Sequence, residues 1–282
     1  MGRVALFLSP HLDDAVLSCP AYMQHLVREG FQVRVATVFT EAGAGAAALY
    51  RNRRAEDRKA ARSLGAAVTH LGFPDAPFRS PEYRDFPGIV FGQAPEYPST
   101  CRLVAQKIRQ LISSFRPALV VSPLAVGNHI DHRLVRDAAL GAAAPEDLLF
   151  YEDRPYAFIR EQVNHVLGRN LAGQPERFWN RYFAAAYVRA YRGTASAGCI
   201  RQAWATVPPF PREYRLRRAS AEPAQPPELA RAVAAIGAYR TQMADLFADE
   251  AEMEALYRRV PERLYRVARA RAGTPAATVI RS

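Results

Sequence analysis

Two short clusters of histidine and aspartate mark this sequence: Ser9-Pro10-His11-Leu12-Asp13-Asp14 and His129-Ile130-Asp131-His132. Imidazole nitrogen and carboxylate oxygen are donors that a catalytic zinc ion takes in sets of three, with a position left open for water. His11, Asp14 and His132 supply such a set, and Asp13 is then free to accept a proton from the bound water. Zinc brings the pKa of its water down to about 7 and polarises a carbonyl, which is the chemistry of amide or ester hydrolysis. Each cluster alone also has a structural reading. Asp14 would cap a helix beginning at Ala15, and Asp131 or His132 one beginning at Arg133. Both clusters together, each directly after an apolar strand, favour the chemical reading.

The elements that must position these loops follow from hydrophobic patterning. Val4 to Leu8 is a short apolar strand, and Ala15 to Arg28 reads as one amphipathic helix closed by Glu29-Gly30. Further strands are predicted at Val33 to Phe39, Ala67 to Leu71, Ala118 to Ser122 and Leu148 to Tyr151, with helices at Arg51 to Leu64, Ser99 to Phe115 and Arg133 to Ala143. Such alternation predicts an α/β fold: a doubly wound, mostly parallel, Rossmann-like sheet with helices on both faces. In such sheets the first strand lies beside one from the second half, and the loops after the pair flank a crevice. The two clusters are expected to meet there.

The lone His70 is assigned to packing. Phe73 to Pro98, rich in proline and aromatics, is expected to form a structured flap beside the site. Beyond about Gln162 the pattern is less regular, with a turn-rich segment at Pro208 to Arg215 and helical stretches at Pro227 to Leu246 and Glu250 to Arg258. One domain over 1–282 is expected, with a core of about 1–160 and a C-terminal completion of about 161–282.

With 282 residues the chain can bury a full core, and its three cysteines show no CxxC spacing, which argues against a disulfide framework or a thiolate metal site. No stretch is of membrane-spanning length, and the start of the chain enters a strand at once, so a soluble, cytoplasmic protein without a membrane partner is expected. The net charge of +11 is carried almost wholly by scattered arginine. The densest run, Arg51 to Arg62, contains Glu56 and Asp57 and reads as a solvated helix face, so no nucleic-acid partner is expected. The oligomeric state is open, a homo-oligomer included.

Ser9-Pro-His-Leu-Asp-Asp-Ala15 and Gly127-Asn-His-Ile-Asp-His132 resemble the paired HPDD and HxDH motifs of the PIG-L/LmbE zinc N-deacetylases, which act on N-acetylglucosamine-type sugars. Arg54, Glu56, Leu64-Gly65, Tyr151-Glu-Asp-Arg-Pro-Tyr156 and Tyr239-Arg-Thr-Gln242 are similar to further family segments. The resemblance implies Zn2+, or Fe2+ or another divalent metal, on His11, Asp14 and His132, with Asp13 as general base. His129, backed by Asp131, would be the electropositive group that stabilises the oxyanion or protonates the leaving amine. Leu12 and Ala15 depart from the family's proline and glutamate while leaving these five side chains in place.

The expected activity is removal of an acetyl group from an N-acetylated amino sugar or glycoconjugate, in natural-product or thiol-cofactor biosynthesis. Arg54, Tyr83, Phe86 and Tyr156 are the expected substrate contacts. Two rival readings remain: a metal-free nucleotide-binding protein using the Gly43-to-Gly45 loop, and a basic nucleic-acid-binding module.

Overall fold

The structure is a computed structural model that describes residues 2–158, 160–168, 207–219 and 226–270. Strand β1 (Val4–Ser9) runs into the first cluster, followed by α1 (Asp14–Ser18) and α2 (Pro20–Arg28). The single helix expected here is broken at Cys19, because Pro20 has no N–H to continue the hydrogen-bond ladder and instead opens a new helix. The chain continues through β2 (Gln32–Glu41), α3 (Ala47–Ser63), β3 (Ala67–Pro74), α4 (Ala76–Arg79), α5 (Phe86–Phe91) and α6 (Tyr97–Phe115). The Gly43-to-Gly45 loop forms a single 3-10 turn, Ala44–Ala46, leading into α3. Then come β4 (Leu119–Pro123), α7 (Ile130–Leu140), β5 (Leu148–Tyr151), α8 (Arg160–Val166), β6 (Tyr214–Ala219), α9 (Pro226–Ile236), α10 (Arg240–Leu246), α11 (Glu250–Arg259) and β7 (Leu264–Arg269).

These strands form a seven-stranded sheet in the order β3-β2-β1-β4-β5-β7-β6. The first five are parallel, as expected, and β1 pairs directly with β4, with Phe7 opposite Val121. That pairing brings the loops after β1 and β4 to one edge of the sheet. Alternation along β1 divides the core. Leu6 and Leu8 pack with Val104, Ile108, Leu134 and Val135 on one face, while Ala5 and Phe7 pack with Val16, Leu26, Ala60 and Ile236 on the other.

Strands β6 and β7 were not expected. β7 runs antiparallel to β5, and β6 antiparallel to β7. Their sequences, Tyr-Arg-Leu-Arg-Arg-Ala and Leu-Tyr-Arg-Val-Ala-Arg, carry arginines where a buried parallel strand would be apolar, and Arg217 lies directly across from Arg266. No helix among the described residues is long and apolar enough to cross a membrane.

His70 does more than pack. Its Nε2 lies 2.9 Å from Asp57 Oδ2, which also accepts from Thr37 Oγ1 at 2.9 Å. The other oxygen of this buried carboxylate accepts from Tyr239 OH at 3.1 Å, while Glu56 next to it accepts from the backbone N–H of Thr241 at 3.2 Å and from its hydroxyl at 2.6 Å. Two consecutive acids of α3 thus fasten the start of α10 to the sheet. Removing one donor from a buried carboxylate costs about 1–3 kcal/mol, so Tyr239→Phe is expected to lower the unfolding free energy by that amount, read as a lower urea midpoint at unchanged slope.

Candidate active site

The first cluster is shaped by its own backbone. Ser9 Oγ donates to His11 O at 2.7 Å and accepts from the Ala15 N–H at 3.0 Å, while the His11 N–H donates to Asp14 Oδ2 at 2.7 Å. The side chains of His11 and Asp14 are thereby folded onto one side of the loop. The second cluster arrives through Leu124 to His129, where Ala125, Gly127 and Asn128 all take positive φ. Left-handed alanine and asparagine in sequence are costly and accumulate at functional loops. Gly127 is needed for a second reason: a Cβ there would lie 2.4 Å from Cγ of Tyr156.

The two loops meet on one oxygen. Asp14 Oδ2 lies 3.0 Å from His11 Nδ1 and 3.2 Å from His132 Nε2. Donor atoms of His11, Asp14 and His132 all fall within 4.8 Å of one another. His132 is fully buried, and its Nε2 has no hydrogen-bond partner, while its Nδ1 is held 2.6 Å from Asp153 Oδ1. An imidazole whose one nitrogen is fixed by a carboxylate and whose other faces a second carboxylate without a hydrogen bond has the arrangement of a metal ligand with its supporting acid. The set of two nitrogens and one oxygen suits a first-row divalent ion, and the three residues fit such a group.

Charges in this closed space shift strongly. Burial, with the neighbouring Asp14, pushes Asp13 up to about 6, against the pull of Arg53, whose Nη2 lies 3.8 Å away. Burial would raise Asp14 as well, but His132 and His11 hold it well below the carboxylate range. For His132, burial is outweighed by Asp14 and Asp153, which raise it to about 9. His129 goes the other way: burial and the adjacent His11 and His132 push it well below the usual histidine value.

This corrects the expected role of Asp131. Its carboxylate does not back His129. One oxygen lies 2.5 Å from Arg79 Nη2, and the other takes the Ala76 N–H at 3.1 Å and faces His11 Nε2 at 3.1 Å. What Asp131 gives His129 is its backbone N–H, donated to Nδ1 at 3.2 Å. That bond requires an unprotonated Nδ1, so His129 is a neutral imidazole with its hydrogen on Nε2. Its Nδ1 also serves as the N-cap of α7, a place the sequence reading gave to Asp131 or His132.

The expected substrate contacts are dispersed. Arg54 is bound to Thr40 O at 2.7 Å and to Glu41 at 2.9 Å, and the neighbouring Arg53 is the arginine that reaches Asp13. Tyr83 is fully buried within the flap, where its hydroxyl accepts from the Ala94 N–H. Tyr156 packs edge-on against the His132 ring at 5.7 Å. Phe86 opens α5, but its side chain lies outside the described residues.

Asp75, Arg79, Arg53 and Asp153 were missed. Asp75 caps α4 through the Ala76 N–H, accepts from Tyr50 OH, and lies 3.5 Å from His11 Nε2. An Asp before Ala-Pro is a legible helix-start signal, although nothing in it announces the site.

A family model described as PIG-L, GlcNAc-PI de-N-acetylase, matches residues 6–143. A 2'-N-acetylparomamine deacetylase from Niallia circulans is 30% identical over 193 residues, covering 55% of this chain and 68% of that protein. The chain belongs to the PIG-L family. A second 2'-N-acetylparomamine deacetylase, from Streptomyces fradiae, is 34% identical over 175 residues, which are 58% of this chain and 61% of that protein's length. Among solved structures, the zinc-inhibited form of a teicoplanin deacetylase is similar at a TM-score of 0.69 with 25% identity, over 96% of this chain and 100% of its own. Both His/Asp loops fall inside the PIG-L match, while Asp153, Tyr156 and Tyr239 lie beyond it.

Tightness at Gly127 gives a test. Gly127→Ala must push against Tyr156 at a positive φ and is expected to cost about 1–3 kcal/mol, read as a lower midpoint in calorimetry. Because Tyr156 packs on His132, the variant is also expected to lose bound metal on dialysis more readily than the parent.

Proposed function

We propose that this protein is a metal-dependent N-deacetylase that hydrolyses the acetamide of an amino sugar in an aminoglycoside-like or glycosylated small molecule. The observation that carries this reading is the convergence of His11, Asp14 and His132 on one point with the buried, high-pKa Asp13 beside them. The named activities of the two relatives support acetylated amino sugars as the substrate class. The site is also rich in carboxylate: Asp13, Asp14, Asp75 and Asp131 gather around three imidazoles despite the chain's overall charge of +11. Such an environment suits a sugar bearing further amines.

A divalent cation on His11, Asp14 and His132, for which zinc is our first choice and Fe2+ the second, supplies Lewis acidity toward the acetyl carbonyl and makes water more acidic. Asp13 is the base: it accepts a proton as water adds to the amide carbon. Its raised pKa places it close to neutrality, where a carboxylate removes a proton and, once protonated, can return it. The Nε2–H of neutral His129 donates a hydrogen bond to the developing oxyanion, which a group that never carried charge can do without losing a proton. As the C–N bond breaks, Asp13 gives its proton to the nitrogen. Acetate and a free amine result.

Incubation of the metal-loaded protein with 2'-N-acetylparomamine and other N-acetylglucosamine conjugates, followed by amine detection, tests the reading. Amine release that is abolished by a chelator and restored by zinc or Fe2+ is expected, whereas no release from any member of the panel would reject it. Asp13→Asn should lower kcat by about 10²–10⁴-fold while leaving bound metal in place. Because Asp13 works only when unprotonated, kcat/KM should rise with pH through about 6, and the residual activity of Asp13→Asn should lack that limb.

A further inference from the structure

The site contains two overlapping triads able to hold a cation, and they share a residue. His11, Asp14 and His132 make one; His11, His129 and Asp131 make the other. His11 serves the first through Nδ1, 3.0 Å from Asp14, and the second through Nε2, 3.1 Å from Asp131. A cation in the second triad would engage His129 and Asp131, removing the hydrogen-bond donor that the proposed reaction needs.

What separates the triads is their countercharge. Asp14 has no Lys or Arg within ion-pair distance among the described residues, its neighbours being His11 and His132. Asp131 is fully buried and is paired with Arg79, whose Nη2 lies 2.5 Å from Oδ1. Arg79 is itself fixed on every side. Nη1 donates to Pro74 O at 2.9 Å, Nε lies 3.4 Å from Glu96, and the guanidinium sits 4.5 Å over the Phe39 ring and 5.7 Å from that of Tyr83. Pro74, Ala76, Arg79, Tyr83 and Glu96 all belong to the flap, so the flap delivers a clamped cation to Asp131.

We propose that Arg79 is a positioning residue that neutralises Asp131 and so reserves the His11–Asp14–His132 triad as the single metal site, leaving His129 free to act. This rests on the deacetylase reading above. The ion pair satisfies Oδ1, the Ala76 N–H helps to satisfy Oδ2, and the Asp131 main chain can then hold His129 in one tautomer. Without the guanidinium, a buried carboxylate would face two imidazoles with its charge uncompensated. Such a carboxylate is neutralised by a proton or by pairing with a cation, and here a divalent ion would find His11 and His129 beside it.

The test compares the full-length protein with Arg79→Met after equilibrium dialysis against graded Zn2+, reading zinc per chain by elemental analysis and the zinc dependence of amine release. The parent is expected to hold one ion per chain. Arg79→Met is expected to take up a second, with the midpoint of inhibition by excess zinc falling about 10- to 100-fold. Adding Asp131→Asn to Arg79→Met should remove the second ion, and Arg79→Lys should retain the parent stoichiometry. Should Arg79→Met not fold, Arg79→Gln reads the same quantity while keeping a hydrogen-bond donor. An Arg79→Met protein with one ion and an unshifted midpoint overturns the proposal alone; a parent protein that retains no ion overturns the metal reading beneath it as well.

Discussion

One carboxylate oxygen joins the two halves of this molecule. Asp14 Oδ2 lies against an imidazole from its own loop and another from the loop after β4, and the second approach is possible only because β1 and β4 are neighbours. The crossover that separates them in sequence and rejoins them in space is therefore the condition for the site. Everything nearby serves to make that meeting affordable in a dry interior. Asp153 orients His132, Arg53 approaches Asp13, and Arg79 neutralises Asp131.

Much of this was legible in the sequence. β1, β4 and β5 were visible as short apolar runs that are buried in the sheet, β2 and β3 through their β-branched and aromatic residues, and the two His/Asp loops because each follows one of the buried runs. The adjacency of β1 and β4 followed from the ordinary behaviour of doubly wound sheets. What escaped had no local signal. β6 and β7 carry arginine at alternate or adjacent positions, and their place in the sheet depends on β5, more than a hundred residues before β7. The partners of Asp131 escaped for the same reason, since spacing within His129-Ile130-Asp131-His132 suggests that Asp131 serves the nearest imidazole. Arg79, fifty-two residues earlier in sequence, takes the carboxylate instead.

The role of His129 shows how a local geometry decides between chemical alternatives. A cation and a neutral donor would both stabilise an oxyanion, but one backbone N–H aimed at Nδ1 leaves a single tautomer, and two neighbouring imidazoles oppose a charge. The hydrogen bond that starts α7 thereby also sets the protonation state of a side chain facing the site. Helix capping and acid–base chemistry are here the same contact.

The arginine content looks different once the last strand is placed. Among the described residues β6 ends the sheet, and Arg217 on it stands across from Arg266 on β7. Like charges opposed on a sheet face weaken the pairing slightly, yet at an edge they repel any further strand of the same composition. Part of the positive charge that might be read as an invitation to a polyanion thus lies on the outer strands of the sheet, where charge disfavours edge-to-edge pairing. A second copy that approached along β6 would therefore meet like charge before it met a free hydrogen-bond ladder.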